Sequence, residues 1–308
     1  MSAILGVTGP IFALIAVGYL MARVGAFQPA DLKALGRYVV MLALPALIFR
    51  AVTARELSAL VDPAYLAAYL GGSLATLAIG YGLSRRAGLD GAASTFQAMG
   101  MACANTGFMG YPILLIALPA VADGALALNM IVENLVMIPL VLILAESSRG
   151  RGLAGVAQTV RRVVTNPIVL SLVAGLVVAL TPMTVPGSIA QAIELVARSS
   201  AAVSLIVIGG SLVGVPRTTT AGRVTAVVAG KLVLHPLAVA AGFAVLAVDP
   251  TIAAAGVLLA AMPAMGVYPI LAGQYGQGAP AAVAMLAMTV AAFFTIGGLL
   301  WLLGLVPA

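Results

Sequence analysis

The sequence predicts an all-α membrane protein of ten transmembrane helices, built as two inverted five-helix repeats with broken crossover helices in the fourth and ninth spans. Three observations predict it. Of 308 residues, 63% are hydrophobic and 8% charged, with a mean hydropathy of +1.17, well outside soluble composition. Charged or turn-rich punctuation divides the chain into ten segments, most of them close to the ~20 residues a spanning helix requires. Finally, a polar, glycine-rich stretch closed by proline, Asn105-Thr106-Gly107-Phe108-Met109-Gly110-Tyr111-Pro112, interrupts the fourth segment. It is echoed by Met265-Gly266-Val267-Tyr268-Pro269-Ile270-Leu271, 156 to 157 positions later.

The spans fall near 4–24, 37–54, 64–84, 91–118, 124–146, 166–181, 187–213, 222–247, 250–275 and 280–305. They consume most of the chain and leave no room for a soluble catalytic domain. The first span lacks a basic leader region and is too long for a signal peptide, so it is read as retained. One cysteine, Cys103, excludes an internal disulfide, and with a single histidine it argues against a metal cluster or a nucleophile–base pair. An intramembrane enzyme is therefore disfavoured, and no cofactor is expected beyond a coupling ion, H+ or Na+.

The formal charge of +6 sorts by loop. Loops after spans 1, 3, 5 and 7 carry Arg23, Lys33, Arg37, Arg85, Arg86, Arg149, Arg151, Arg161, Arg162, Arg217 and Arg223. The other side holds Arg50 and Arg55, offset by Glu56, Asp62, Asp123 and Asp249. By the positive-inside rule the basic loops face the cytoplasm and both termini face outward. The basic excess needs no nucleic-acid partner.

In chain order, span 1 carries Pro10 and leads to Gln28-Pro29-Ala30-Asp31-Leu32-Lys33, expected as a short interfacial helix with Asp31 in its acidic first turn. Pro45 is expected to kink span 2 by removing a backbone donor. Gly71-Gly72-Ser73 in span 3 are small residues suited to close helix packing. Span 4 follows Asp90 and contains the first break; about ten residues into span 5 stands Glu133, roughly 15 Å deep in a ~30 Å core. The loop 147–165, with four arginines, divides two nearly equal halves: 1–146 and 166–308. Span 6 opens at Asn166-Pro167, a position that suits proline. In span 7, Glu194 and Arg198 stand i,i+4 and suit a structural pair. Span 8 places Lys231 near midplane with His235-Pro236 one turn on; span 9 begins after Asp249 and carries Pro263 and Pro269; span 10 is apolar.

Both breaks lie in the fourth of five spans, and five is odd, so the second half must be inverted in the membrane. That arithmetic belongs to inverted-repeat secondary transporters, whose discontinuous helices form a midplane site with partial positive charge at the half-helix N-termini. At this point the sequence resembles the auxin efflux carrier family, whose bacterial members include carboxylate and malonate permeases. The resemblance spans the whole chain and is carried by Ala104 through Pro112, Lys231-Leu232-Val233-Leu234-His235-Pro236, and Met262-Pro263 through Gln274-Tyr275-Gly276. It implies a fold related to bile acid:sodium symporters, with a scaffold and dimerisation part from spans 1, 2, 6 and 7 and a transport part from spans 3 to 5 and 8 to 10. It also implies elevator-type movement, a homodimer and a bacterial inner membrane. Ala104 and Ala264 depart from the plant pattern and weaken the case for auxin itself or a symmetric ligand site.

The candidate substrate-binding residues are Asn105, Thr106, Gly107, Tyr111, Pro112, Pro263, Met265, Tyr268, Pro269 and Lys231. Asn105 and Thr106 either meet substrate or satisfy backbone groups freed by the break. The prolines act through shape and their carbonyls; Tyr111 and Tyr268 bond substrate or seal a helix interface. Lys231 and Glu133 are charges in the bilayer centre, to be paired or functional. Either they neutralise one another, or Lys231 takes a carboxylate while Glu133 takes a proton or cation. His235 is a candidate proton carrier or a packed, hydrogen-bonded residue. The leading expectation is a carrier of small organic anions, mono- or dicarboxylates, in lipid and without nucleic acid. The alternatives are a sodium-coupled symporter of a larger amphipathic anion, a channel or sensor, and an enzyme.

Overall fold

Where no water reaches the backbone, a chain must satisfy its own N–H and C=O groups, and helix is the local solution. The computed structural model describes residues 2–53, 62–149, 157–161, 164–181, 183–214 and 221–305. It is all-helical, with 84% helix and no strand among the described residues. Arg55, Glu56, Arg151, Arg162 and Arg217 of the charge reading lie outside them.

The helices are α1 (Ser2–Arg23), α2 (Pro29–Thr53), α3 (Pro63–Arg86), α4 (Gly91–Ala102), α5 (Thr106–Ala117) and α6 (Pro119–Ser147). There follow α7 (Pro167–Leu180), α8 (Gly187–Ser211), α9 (Ala221–Val245), α10 (Pro250–Ala260), α11 (Tyr268–Gly273) and α12 (Gly278–Leu302). Six of them, α2, α3, α6, α8, α9 and α12, are long and apolar enough to cross a membrane. Helix occupies every expected span, and the fourth and ninth are each split in two.

Short polar side chains set the starts. Asp62, Asp90, Asn166 and Asp249 each accept a backbone N–H of the first turn, at 3.0 Å from Tyr65, 2.7 Å from Ala93, 2.9 Å from Ile168 and 2.9 Å from Thr251. The two aspartates that precede the broken spans are thus N-caps. Asp31 does the same work in reverse, accepting the Gln28 N–H at 2.8 Å. This corrects one expectation: the stretch after Gln28 is the first turn of α2, continuous to Thr53, and not a separate interfacial helix. Pro29 at the helix start and the Asp31 bond make a beginning rather than an isolated turn.

Wide, π-helical turns occur at Val39–Ala43, Thr106–Gly110, Val132–Met137 and Gly230–Leu234. Each is followed two residues later by proline: Pro45, Pro112, Pro139 and Pro236. Proline has no N–H, and its ring crowds the carbonyl four residues back. The residue before each proline instead bonds five back, as Leu44 to Val39, Tyr111 to Thr106, Ile138 to Glu133 and His235 to Gly230. Pro45 therefore reshapes α2 by a wide turn, which is how the expected kink is realised.

Two groups of helices pack internally. In one, α1 lies along α8 while α2 packs on α7 and α8; in the other, α3 lies against α4 and α9, α9 against α10 and α12, and α11 against α12. Glycines set the closest approaches. Gly18 and Gly209 bring α1 and α8 into backbone contact, so that a Cβ on either would collide with the Ile206 or Ile15 carbonyl. Between α3 and α9, a Cβ on Gly72 would stand 2.7 Å from the Val239 backbone. Of the expected packing trio, Gly72 carries the contact, Gly71 has nothing near it, and Ser73 hydrogen-bonds His235.

Candidate functional site

The fourth span is interrupted over Cys103, Ala104 and Asn105, the ninth over Ala261 to Val267. Both interruptions begin earlier than the proline motifs suggested, and the first is shorter, because Pro112 is wound into α5 just past its wide turn and Pro269 into the first turn of α11. At Pro269 the missing N–H has no helical partner anyway. The two interruptions touch. Ala104 and Ala264 form an isolated antiparallel bridge, and the Asn105 N–H donates to the Pro263 carbonyl at 2.8 Å.

A cavity of about 240 Å³ opens beside this junction. Its wall includes Asn105, Thr106, Gly107 and Phe108 from the first break, Met265, Gly266 and Val267 from the second, and Glu133 and Asn134 from α6. Asn166 at the start of α7 completes the polar part. The Asn105 side chain accepts the Phe108 N–H at 3.3 Å, and its backbone carbonyl accepts those of Met109 and Gly110. That leaves the amides of Thr106 and Gly107 without a protein acceptor among the described residues. Thr106 Oγ1 is likewise buried and unpartnered. Glu133 accepts the Ala104 N–H on Oε1 at 2.9 Å, while its Oε2 is buried with no partner. Leu44 packs closely on Gly107, its Cδ1 lying 2.8 Å from where a Cβ would stand.

The other candidates lie elsewhere. Lys231 and His235, both fully buried, stand behind the second break. Lys231 Nζ donates to the Ala260 carbonyl at 2.6 Å and to His235 Nδ1 at 2.6 Å. With Nδ1 accepting, the imidazole proton sits on Nε2 and is donated to Ser73 Oγ at 2.9 Å. The ammonium thus closes the carbonyl end of α10, where the helix dipole is negative. No Lys231–Glu133 ion pair forms among the described residues; each charge serves a different break.

Tyr111 is placed away from the cavity lining. Its hydroxyl donates to Asp123 at 2.7 Å and accepts from Arg50 at 2.6 Å, and Arg50 also reaches Asp123 at 2.8 Å and Glu194 at 3.4 Å. The expected Glu194–Arg198 bond is present at 2.6 Å, with Arg198 largely exposed. Tyr268 packs in the core with its ring against Gly100. Pro112, Pro263 and Pro269 do not line the cavity; Pro263 acts through its carbonyl on Asn105.

Sequence reasoning missed Asn134, Asn166 and the Arg50–Asp123–Tyr111 cluster. Asn134 directly follows Glu133, and Arg50 interrupts the apolar Leu47-Ile48-Phe49 run, so both left a trace in the chain. Asn166 was read only as a helix start.

Comparison with known proteins agrees with this picture. Residues 4–301 match the family described as "Membrane transport protein". The chain is 30% identical over 322 aligned positions, covering 100% of it and 99% of the relative, to a "Putative malonate transporter" of Rhizobium meliloti (strain 1021). It is also 30% identical over 105 positions, 33% of this chain and 34% of the relative, to an "Uncharacterized transporter" of Methanothermobacter thermautotrophicus.

Proposed function

From the premise that this chain belongs to the auxin efflux carrier family of membrane transport proteins, we propose that it carries small organic anions, mono- or dicarboxylates, through the junction of its two breaks. The observation that carries this reading is the shared cavity, in which Asn105, Thr106 and Gly107 of one half meet Met265, Gly266 and Val267 of the other. Amides at the start of a helical segment, with its dipole behind them, favour a carboxylate. The full-length relative's description as a malonate transporter supports the same substrate class.

The mechanism proposed is alternating access, with ten spanning helices in inverted halves and α4/α5 crossing α10/α11. The bundle of α3 to α6 and α9 to α12 would move against the frame of α1, α2, α7 and α8, elevator fashion. The most extensive packing falls within these groups, α1 on α8 and α2 on α7 in the frame and α3 on α9 in the bundle, which supports that division. The cavity wall reaches Leu142 and Asn166, which flank the basic loop 147–165, while the Arg50 cluster stands at the opposite end. By the positive-inside rule this is an inward-facing arrangement in a bacterial inner membrane, with both termini outside. A homodimer through the frame completes the proposal. A volume of about 240 Å³ lies below the range of drug-sized sites, which favours a small acid over a large amphipathic anion.

Counterflow in proteoliposomes tests the reading. Vesicles loaded with unlabelled malonate should take up radiolabelled malonate, and Asn105→Ala should depress that uptake. Absence of counterflow with any mono- or dicarboxylate refutes the substrate class.

A further inference from the structure

A cavity proposed for an anion would be expected to present a cation, and this one does not. Among the described residues no lysine, arginine or histidine lines it, and the one ionisable side chain on its wall is the carboxyl of Glu133. Lys231, fully buried and outside the cavity lining, turns two of its three donors to Ala260 and His235. Glu133 takes one backbone donor, the Ala104 N–H, on Oε1; Oε2 is buried with no hydrogen-bond partner among the described residues, only the weakly donating Cys103 thiol standing by the carboxyl of this cavity-lining residue. As an ionised acceptor, Oε2 would be both unsolvated and repelled by an incoming carboxylate. With a proton it becomes a hydrogen-bond donor, and the orphan atom and the absent cation are accounted for together.

We propose that Glu133 carries a co-transported proton and presents it to the substrate carboxylate, so that anion and proton load together and leave together. The inference rests on the carrier reading above. The proton binds Oε2 from the aqueous phase the cavity faces, is held between Oε2 and a substrate oxygen, and is returned to water on the other side. Thr106 Oγ1, the second buried orphan on the wall, supplies another hydrogen bond to the same substrate. The titratable groups that face Glu133 are Cys103 beside it, Tyr69 on α3 and Lys231 on α9.

The test uses the full protein in proteoliposomes with radiolabelled malonate. Counterflow at equal pH reports the carrier reading; uphill accumulation driven by a pH gradient, without Na+, reports the proton. Wild type should accumulate malonate, and malonate added at zero gradient should move protons with it, read by a trapped pH dye. Its counterflow rate should change by up to about tenfold per pH unit on the limb where Glu133 titrates. Glu133→Gln, which is permanently neutral and still a donor, should lose accumulation and flatten the pH profile. Counterflow without pH-driven accumulation or dye response in the wild type overturns the proton proposal and leaves the carrier reading standing. So does accumulation that requires a Na+ gradient, or accumulation retained by Glu133→Gln. The dye measurement decides on the wild type alone if the variant fails to fold. Absence of counterflow overturns both.

Discussion

The two breaks use one backbone device and opposite chemistry. At the first, an N–H freed beyond the end of α4, that of Ala104, is taken by the Glu133 carboxyl. At the second, a C=O freed at the end of α10, that of Ala260, is taken by the Lys231 ammonium. Each charge sits in a wide turn of a neighbouring helix, Glu133 in α6 and Lys231 in α9. The difference lies in what remains. Glu133 lines the cavity and keeps a buried oxygen without a hydrogen-bond partner, whereas Lys231 is shared between a carbonyl and His235 and lies outside the lining. The first break also brings Asn105 and Thr106, while the second brings Pro263, Ala264 and Met265. One half supplies chemistry, the other supplies shape and a carbonyl.

The sharpest way to break this comparison is Lys231→Met. If the lysine is structural, two acceptors lose their donor, and stability should fall by about 2 kcal/mol. His235 can shift its proton to Nδ1, 3.1 Å from the Ala260 carbonyl, and recover part of the loss. A thermal melt in detergent, with and without malonate, measures it. Unchanged melting with lost malonate protection would return Lys231 to the substrate site.

Asn105→Ala should separate chemistry from shape at the first break. Losing the cap on Phe108 costs about 1 kcal/mol, while counterflow should fall by about tenfold or more, the effect of losing one good polar contact of about 1.4 kcal/mol. Equal losses in melting and transport would make Asn105 structural, and the two breaks alike.

The half-helices are also held by parallel clusters. Tyr111 of α5 is tied to Asp123 and Arg50, and Tyr275 just beyond α11 to Glu146, with the Arg149 guanidinium 4.1 Å over its ring. Arg50→Gln, in a partly buried cluster, should cost about 1 kcal/mol and speed exchange if the cluster restrains the outer end. Arg149→Gln also loses the bond to the Gln274 carbonyl but, being exposed, should cost under about 0.5 kcal/mol. Denaturant or thermal midpoints rank the two; the reverse order would make the second anchor the stronger.

How much of this was legible follows from what each residue needs. The apolar runs and the Asp90 and Asp249 starts were readable because hydropathy and N-caps are local properties. The junction was anticipated as a crossing of the two breaks; that Asn105 would meet Pro263 is a pairing across 158 positions, which no local rule supplies. Lys231 and Glu133 stood out as charges within apolar spans, and both are buried. Which backbone group each would satisfy depended on helix packing. Arg50 was read only for its side of the membrane, because position near the end of a span says nothing about neighbours on α5, α6 and α8.

The wide turns have a consequence for motion. A π-turn stores one surplus residue in the winding of a helix. Releasing it into regular α-helix rotates everything beyond by about 100° and advances it by about 1.5 Å. Glu133 and Lys231 both stand on such turns, each backed by a proline that cannot close the ordinary bond. A helix of this kind behaves as a screw thread: it can change which face it offers its neighbour without bending, and the prolines fix where along the thread the slack is kept.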